Sequence, residues 1–195
     1  FAVRTADGSI LHKSDNNKDL LYHSGDYDTS FLSVEINGQD YLFGGKYEGA
    51  SAVTTSQEGA NGSIRAVWSV AGVTFTETVS IENNVTHNGM LALTVTAVNG
   101  SGAPVPVKAR LLLDTCLGSQ DYGSYVFQNS SKNTETFKTE KLLTGSYNFG
   151  SFYTVDSSSS PQITAYNLSP DKKPYQVAVG HWNHLASTLF GFTAT

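Results

Sequence analysis

Ile64-Arg-Ala-Val-Trp68-Ser-Val70-Ala-Gly72-Val-Thr-Phe75-Thr-Glu77-Thr-Val79-Ser-Ile81 decides the fold class. From Val73 to Ile81, Val73, Phe75, Val79 and Ile81 share one parity, and Thr74, Thr76, Thr78 and Ser80 take the other. Side chains alternate faces along a pleated backbone, so this is the period of a half-buried strand. Residues 64–70 alternate as well. Only Ala71-Gly72 separates the two runs, and a two-residue link carrying Gly between alternating runs predicts a tight β-hairpin.

Working outward, Leu91, Leu93, Val95 and Ala97 form a third alternating run, which Asn99-Gly-Ser-Gly102 ends. Val105, Val107, Ala109, Leu111 and Leu113 then make the most apolar face in the chain. Pro104 and Pro106 sit at its start, where a missing N–H is tolerated. Four consecutive antiparallel strands are expected here, with Leu111 and Leu113 buried between two sheets. Lys108 and Arg110 are expected on the outer face, which should be partly covered around Leu112.

Upstream, residues 31–36, Asn37-Gly38 and residues 39–43 read as a hairpin, because Asn-Gly supplies the positive φ angles of a type I′ turn. Residues 9–13 and 46–55 are further strand expectations, and residues 56–62 a loop. Downstream, residues 125–128, 162–166 and 175–180 read as strands, and residues 136–142 alternate weakly. Residues 145–153 are rich in Gly and aromatics and read as lying outside the core strands. Trp182, Leu185, Ala186 and Leu189 recur at helical spacing, so one short helix or turn is expected near the end. Nothing repeats at a fixed period and no domain boundary is visible. The expected fold is all-β: one large antiparallel β-sandwich over residues 1–195, with at most one short helix near the C-terminus.

Composition narrows function. The net charge is −5 and only 15% of residues are charged, without a Lys/Arg cluster, so no nucleic-acid partner is expected. No apolar run approaches the roughly 20 residues that span a bilayer, so membrane insertion is not expected either. Cys116 is alone, which rules out an internal disulfide and fits a buried, inert thiol. Abundant Ser, Thr, Asn and Tyr with few Lys suggest an exported protein, bacterial and extracellular or at the cell surface. Asn-x-Ser/Thr triplets at Asn61, Asn84, Asn99, Asn129 and Asn167 read as a product of composition.

Several residues suggest chemistry. Asp15, Asn17 and Asp19 have the alternate spacing of a calcium loop, but lack its Gly and its distal bidentate Glu, so a solvated turn is expected. Asp114 and Asp121 bracket a Gly-containing loop and would hold sugar hydroxyls or a cation, or cap the loop backbone. Glu77 has the parity of its strand's apolar face, where a carboxylate needs a partner or a raised pKa. It reads as lying near a sheet end or pairing with an Arg such as Arg65 or Arg110, and otherwise as a catalytic acid or base, or the proton-handling group of a Lys–Asn isopeptide bond. His181 and His184 have a spacing that suits Zn²⁺, but no third ligand is recognisable and ordinary hydrogen-bonded histidines are expected. Tyr122, Tyr125, Tyr147, Phe149, Phe152 and Tyr153 would make a glycan platform, since aromatic faces stack on sugar C–H groups, or would pack beneath long loops. Nucleophile-elbow, phosphate-loop and His-Glu-x-x-His signatures are absent, so no cofactor and no metal are expected.

Thr29-Ser-Phe-Leu-Ser-Val-Glu-Ile-Asn-Gly38, Tyr41-Leu-Phe-Gly44, Ala109-Arg-Leu-Leu-Leu-Asp114-Thr-Cys-Leu-Gly118 and Trp182-Asn-His-Leu-Ala186 together resemble a poorly characterised family of bacterial exported surface proteins. The resemblance implies a large sandwich of the galactose-mutarotase-like kind, with further strand sequence beyond residue 195. The functional expectation is a non-catalytic extracellular binding or adhesion module with a glycan as its candidate partner. The site residues are Tyr122, Tyr125, Tyr147, Phe149, Tyr153, Asp114 and Asp121. Two alternatives stand beside it. One is a carbohydrate-active enzyme of mutarotase or lyase type, which requires Glu77 and a His in one open cleft. The other is a ligand-free spacer in a longer surface protein.

Overall fold

The computed structural model describes residues 2–11, 21–24, 27–59, 62–82, 90–116, 124–129, 134–145, 147–155, 162–166 and 174–194. For Ala2, Leu11, residues 23–24, 27–28, 124–129, 147–155 and 162–166, and for Thr134, it describes the backbone alone. The fold is mostly β, with antiparallel sheets and one short helix near the C-terminus. The chain forms two compact units, Phe1–His12 with Ser24–Leu112, and Lys13–His23 with Leu113–Thr195.

Strands β1 (Ala2–Val3), β2 (Ile10–Leu11), β3 (His23–Ser24) and β4 (Tyr27–Asp28) are two-residue pieces. The first unit is built from β5 (Phe31–Ile36), β6 (Gln39–Leu42), β7 (Thr54–Glu58), β8 (Ser63–Val70), β9 (Val73–Glu82), β10 (Met90–Asn99) and β11 (Val107–Leu112). One sheet has the order β10-β9-β8-β7 and the other β11-β5-β6. Leu32, Val34 and Ile36 from the smaller sheet, with Phe43 just after it, meet Ala66, Trp68, Val70, Val73 and Phe75 from the larger one. This is the sandwich core. Each large apolar side chain fully buried there stabilises the unit by about 1.5–3 kcal/mol before entropy is counted.

The β8–β9 hairpin has the expected register, with Trp68 opposite Phe75 and Val70 opposite Val73. The turn residues have positive φ, 49° at Ala71 and 77° at Gly72. Asn37 and Gly38 are likewise at 51° and 78°, the signature of a primed turn. Three of the four strands expected to run consecutively do so, as β8, β9 and β10. The fourth, β11, leaves that sheet and pairs with β5.

The β11 register also corrects the burial expected for it. Ala109 and Leu111 lie opposite Val34 and Leu32, so their face is the core-facing one, and Val105 and Val107 pack on the core. Yet Leu111 is 39% exposed and Leu112, on the other face, is 5% exposed. The reason is position: β11 is an edge strand, and its core-facing side runs out from under the opposite sheet towards its C-terminal end. Lys108 faces outward and pairs with Glu35 at 2.6 Å across the strands.

A second correction concerns residues 46–55. Gly49, at φ 70°, and an Ala50 N–H donated to the Tyr47 carbonyl make a turn, and the strand begins only at Thr54. Strand β7 therefore occupies residues 56–58 of the expected 56–62 loop.

In the second unit β12 (Ser124–Asn129), β13 (Thr134–Phe137), β14 (Lys141–Leu143), β15 (Tyr147–Val155), β16 (Gln162–Tyr166) and β17 (Val177–Val179) precede α1 (Trp182–Ala186). A four-stranded sheet has the order β13-β12-β15-β16, and β14 pairs with β17. The Gly- and aromatic-rich stretch is thus a strand of nine residues at the centre of a sheet. Tyr and Phe favour the pleated backbone, and the weakness introduced by Gly150 is absorbed by a register shift. Phe152 lies opposite Phe127 while Asn148 lies opposite Gln128.

Two measurements check this fold. Gly38→Val is expected to lower stability to chemical denaturation by about 1 kcal/mol or more, because a β-branched residue resists positive φ. Leu112→Ala should cost about 2–5 kcal/mol, and Leu111→Ala about 1 kcal/mol or less; the reverse ranking in equilibrium unfolding would contradict the β11 geometry.

Candidate functional site

The loop of residues 4–9 in the first unit is a tight, internally bonded structure. Arg4 N–H donates to the Ser9 carbonyl and Gly8 N–H to the Arg4 carbonyl, each at 2.9 Å. The Arg4 guanidinium meets the Asp7 carboxylate at 2.9 Å, and Asp7 Oδ1 accepts the Ser9 hydroxyl at 2.7 Å and the Ser9 N–H at 3.1 Å. Two glycines let this loop lie against the core. A Cβ on Gly44 would stand 2.5 Å from the Asp7 Cα, and one on Gly8 would stand 2.8 Å from the Phe43 ring and 3.0 Å from Glu77 Oε2. Any side chain at either position would push the loop away.

Outside this loop lies a surface cleft of about 420 Å³, lined by Thr5, Ala6, residues 44–47 and residues 50–53. Its one aromatic, Tyr47, is held firmly. The phenol oxygen accepts the Leu42 N–H at 2.8 Å, and the ring packs edge-on to Tyr41 with centroids 5.0 Å apart and 6.1 Å from Trp68. Small neighbours, Gly44, Gly45, Ala50 and Ala52, leave open space around it, with Thr5, Lys46 and Ser51 as polar groups.

Beneath the loop, Glu77 is 1% exposed and neither carboxyl oxygen has a hydrogen-bonding partner. It lies opposite Ala66 on β8 and Val95 on β10, on the face that carries Phe75 and Val79 into the core. The expected pairing with Arg65 or Arg110 is not formed. Arg65 lies opposite Thr78 on the other face of the sheet and reaches Glu58 at 4.0 Å, while Arg110 is on the outer face of β11 opposite Ser33. Burial in the apolar layer, followed by the nearby negative charge of Asp7, pushes the Glu77 carboxyl up to about 8. Trp68 Nε1 is also buried without a partner in this core.

Of the site residues expected from the sequence, Tyr122 and Asp121 lie outside the described residues. Tyr125 is on β12, and Tyr147, Phe149 and Tyr153 are on the neighbouring β15, with Tyr153 opposite Val126. These four are therefore brought onto adjacent strands; their side chains lie outside the described residues, as does that of Phe152. Asp114 is half-buried just after β11, and its carbonyl accepts the Tyr22 N–H at 2.7 Å. The Asp15, Asn17 and Asp19 loop lies outside the described residues. Cys116 is buried and forms no disulfide. Asn99 is occupied with its own turn, accepting the Ser101 N–H and hydroxyl and donating to the Ala103 carbonyl.

The second unit holds a pair that sequence spacing did not reveal. His184 Nδ1 lies 2.8 Å from Glu140 Oε2, and Glu140 Oε1 accepts the His181 N–H at 3.3 Å. The His184 ring stands 5.1 Å from Phe192. Glu140 thereby orients His184 and fastens the start of α1. Among the described residues no group of three or more His, Cys, Asp or Glu side chains is arranged to hold a metal ion, and no helix is long and apolar enough to cross a membrane.

No protein-family model matches this chain, no curated protein matches it, and no solved structure matches its fold.

The buried carboxyl fixes a pH dependence. The folded state holds the Glu77 proton up to about pH 8, whereas an unfolded Glu releases it near 4.5. The folded state therefore binds one more proton across that interval, and stability falls as pH rises from about 4.5 to 8, then levels. The total loss is at most about 5 kcal/mol from a shift of that size. Glu77→Met should remove this slope and raise stability at neutral and alkaline pH; denaturant unfolding from pH 5 to 9 measures both.

Proposed function

We propose that this chain is a non-catalytic ligand-binding module of an exported bacterial protein, with carbohydrate as the ligand class and the cleft around Tyr47 as the site. The observation that carries the reading is the construction of that cleft: one anchored aromatic ring, small neighbours, and hydroxyl and ammonium groups within a single concave surface. A sugar ring presents C–H groups that suit an aromatic surface and hydroxyls that suit Thr5, Ser51 and Lys46. The low charge, the Ser/Thr/Asn-rich composition and the resemblance of the Thr29–Gly44 and Ala109–Gly118 phrases to exported surface proteins support the same reading.

The geometry favours binding over turnover. A mutarotase- or lyase-type reaction needs a proton donor and acceptor facing the sugar, and a general acid or base must come within hydrogen-bond reach of its target. Glu77 lies beneath the 4–9 loop rather than among the residues lining the cleft, and those lining residues include no His, Asp or Glu. His184 and Glu140 are bonded to one another.

A glycan-array screen at pH 6, followed by calorimetric titration of the strongest hits, tests the reading. Tyr47→Ala is expected to weaken binding at least tenfold, with Tyr175→Ala, at a site 86% exposed, as a neutral control. A screen with no hits, or hits indifferent to Tyr47→Ala, would overturn the assignment of the cleft.

A further inference from the structure

We propose that Glu77 is a proton-operated latch on the loop of residues 4–9: protonated, it lets the loop seat on the core and form one wall of the cleft, and ionised, it drives the loop off. As regulation of the cleft this rests on the binding reading above; as a property of the loop it stands by itself.

Four features converge on it. The carboxyl is sealed from solvent and has no hydrogen-bonding partner, so nothing within the core compensates a charge there. Its Oε2 faces Gly8 so closely that a Cβ there would stand 3.0 Å from it, so the loop is the element that yields on ionisation. That loop carries Asp7 beside Gly8, and two carboxylates at one site disfavour each other's charge. Thr5 and Ala6, three and two residues before Gly8, line the cleft, so displacement of the loop reshapes the site directly.

Among the described residues, the charged groups around Glu77 have one source. The loop contributes Arg4 and Asp7, which pair with one another. The flanking strands contribute Ile64, Ala66, Trp68 and Val70 from β8 and Leu91, Leu93, Val95 and Ala97 from β10 on the same face, none of them titratable. The opposite sheet contributes Leu32, Val34 and Ile36, and the Tyr41 and Tyr47 phenols are the other titratable groups packed on this core or its aromatics. Among the described residues, release of the Glu77 proton therefore meets no cation but Arg4, which Asp7 already engages. Loosening the loop resolves the conflict by admitting water to the carboxylate.

Amide NMR on the intact chain, without any ligand, tests the latch. Between pH 6 and 9.5 the Gly8 and Ser9 resonances are expected to titrate together with a midpoint near 8. Exchange protection of the Arg4 and Gly8 amides, each normalised to the unstructured rate at the same pH, should fall at least tenfold across that midpoint, while Val34 and Val79 keep theirs. Glu77→Gln should abolish the transition with the loop closed throughout, and Asp7→Asn should move the midpoint downward. A loop whose protection stays constant over this range in the wild type, or falls equally in Glu77→Gln, would overturn the proposal. Those outcomes leave the glycan screen at pH 6 untouched, and an empty screen with an intact transition would sink the binding reading alone.

Discussion

The register of the β8–β9 hairpin is the constraint on which the first unit depends. Once Ala71-Gly72 closes the turn, Trp68 must oppose Phe75, and Ala66, Trp68, Val70, Val73, Phe75 and Val79 share one face. A one-residue slip would move every one of them into water, so burial of this face selects a single pairing. The second sheet exists to cover it, bringing Leu32, Val34 and Ile36 over the aromatics. The same register holds Glu77 inside. It lies between Phe75 and Val79, and no local rotation exposes it while they remain buried.

What was readable in the sequence follows from how local each determinant is. Alternation and turn chemistry are local, and they identify both hairpins, at Asn37-Gly38 down to the φ angles of the turn residues. The crossover of β11 to the other sheet is not local. Residues 99–106 connect two strands of similar pattern, and nothing in that pattern states whether the second returns beside the first or beside β5. Burial at a sheet edge is less local still. Leu111 has the right face and Leu112 the wrong one by parity, yet the cover over each strand end decides their exposure. Residues 46–55 show the opposite failure, where a plausible run is broken by Gly49 and by a phenol that ties Tyr47 back to Leu42.

The site divides in the same way. Parity alone placed Glu77 in the core, but whether an Arg reached it depended on which sheet face Arg65 and Arg110 occupied, and both took outer faces. Tyr47 had one local signal, the Gly44-Gly45 pair that precedes it. Those glycines admit the 4–9 loop and the Tyr47 ring against backbone, which is a tertiary role no dipeptide pattern reveals. The pairing of Glu140 with His184 spans 44 residues and has no local trace. The aromatic clustering of residues 125–153 coincides with two paired strands, β12 and β15, because Tyr and Phe are what a pleated backbone accommodates.

Glu77 runs against stability. An apolar side chain of similar length would fill the same space without an unpaired carboxyl, and replacing buried charged or polar groups by apolar ones is often neutral or stabilising. The surrounding layer does not soften this cost; Ala66, Val95, Phe43 and Phe75 supply no donor, and Asp7 adds repulsion. Such a group stays folded only as a neutral acid, and its neutrality is conditional on pH. Gly8 brings backbone, not side chain, towards this carboxyl, so the contact opposing ionisation is held by the hydrogen bonds of a six-residue loop rather than by a rigid sheet. A loop closed by a few local bonds opens at far lower free energy than a β-ladder unfolds. Ionisation therefore has a cheaper outlet than global unfolding, and that outlet is the segment that carries Thr5 and Ala6 into the cleft.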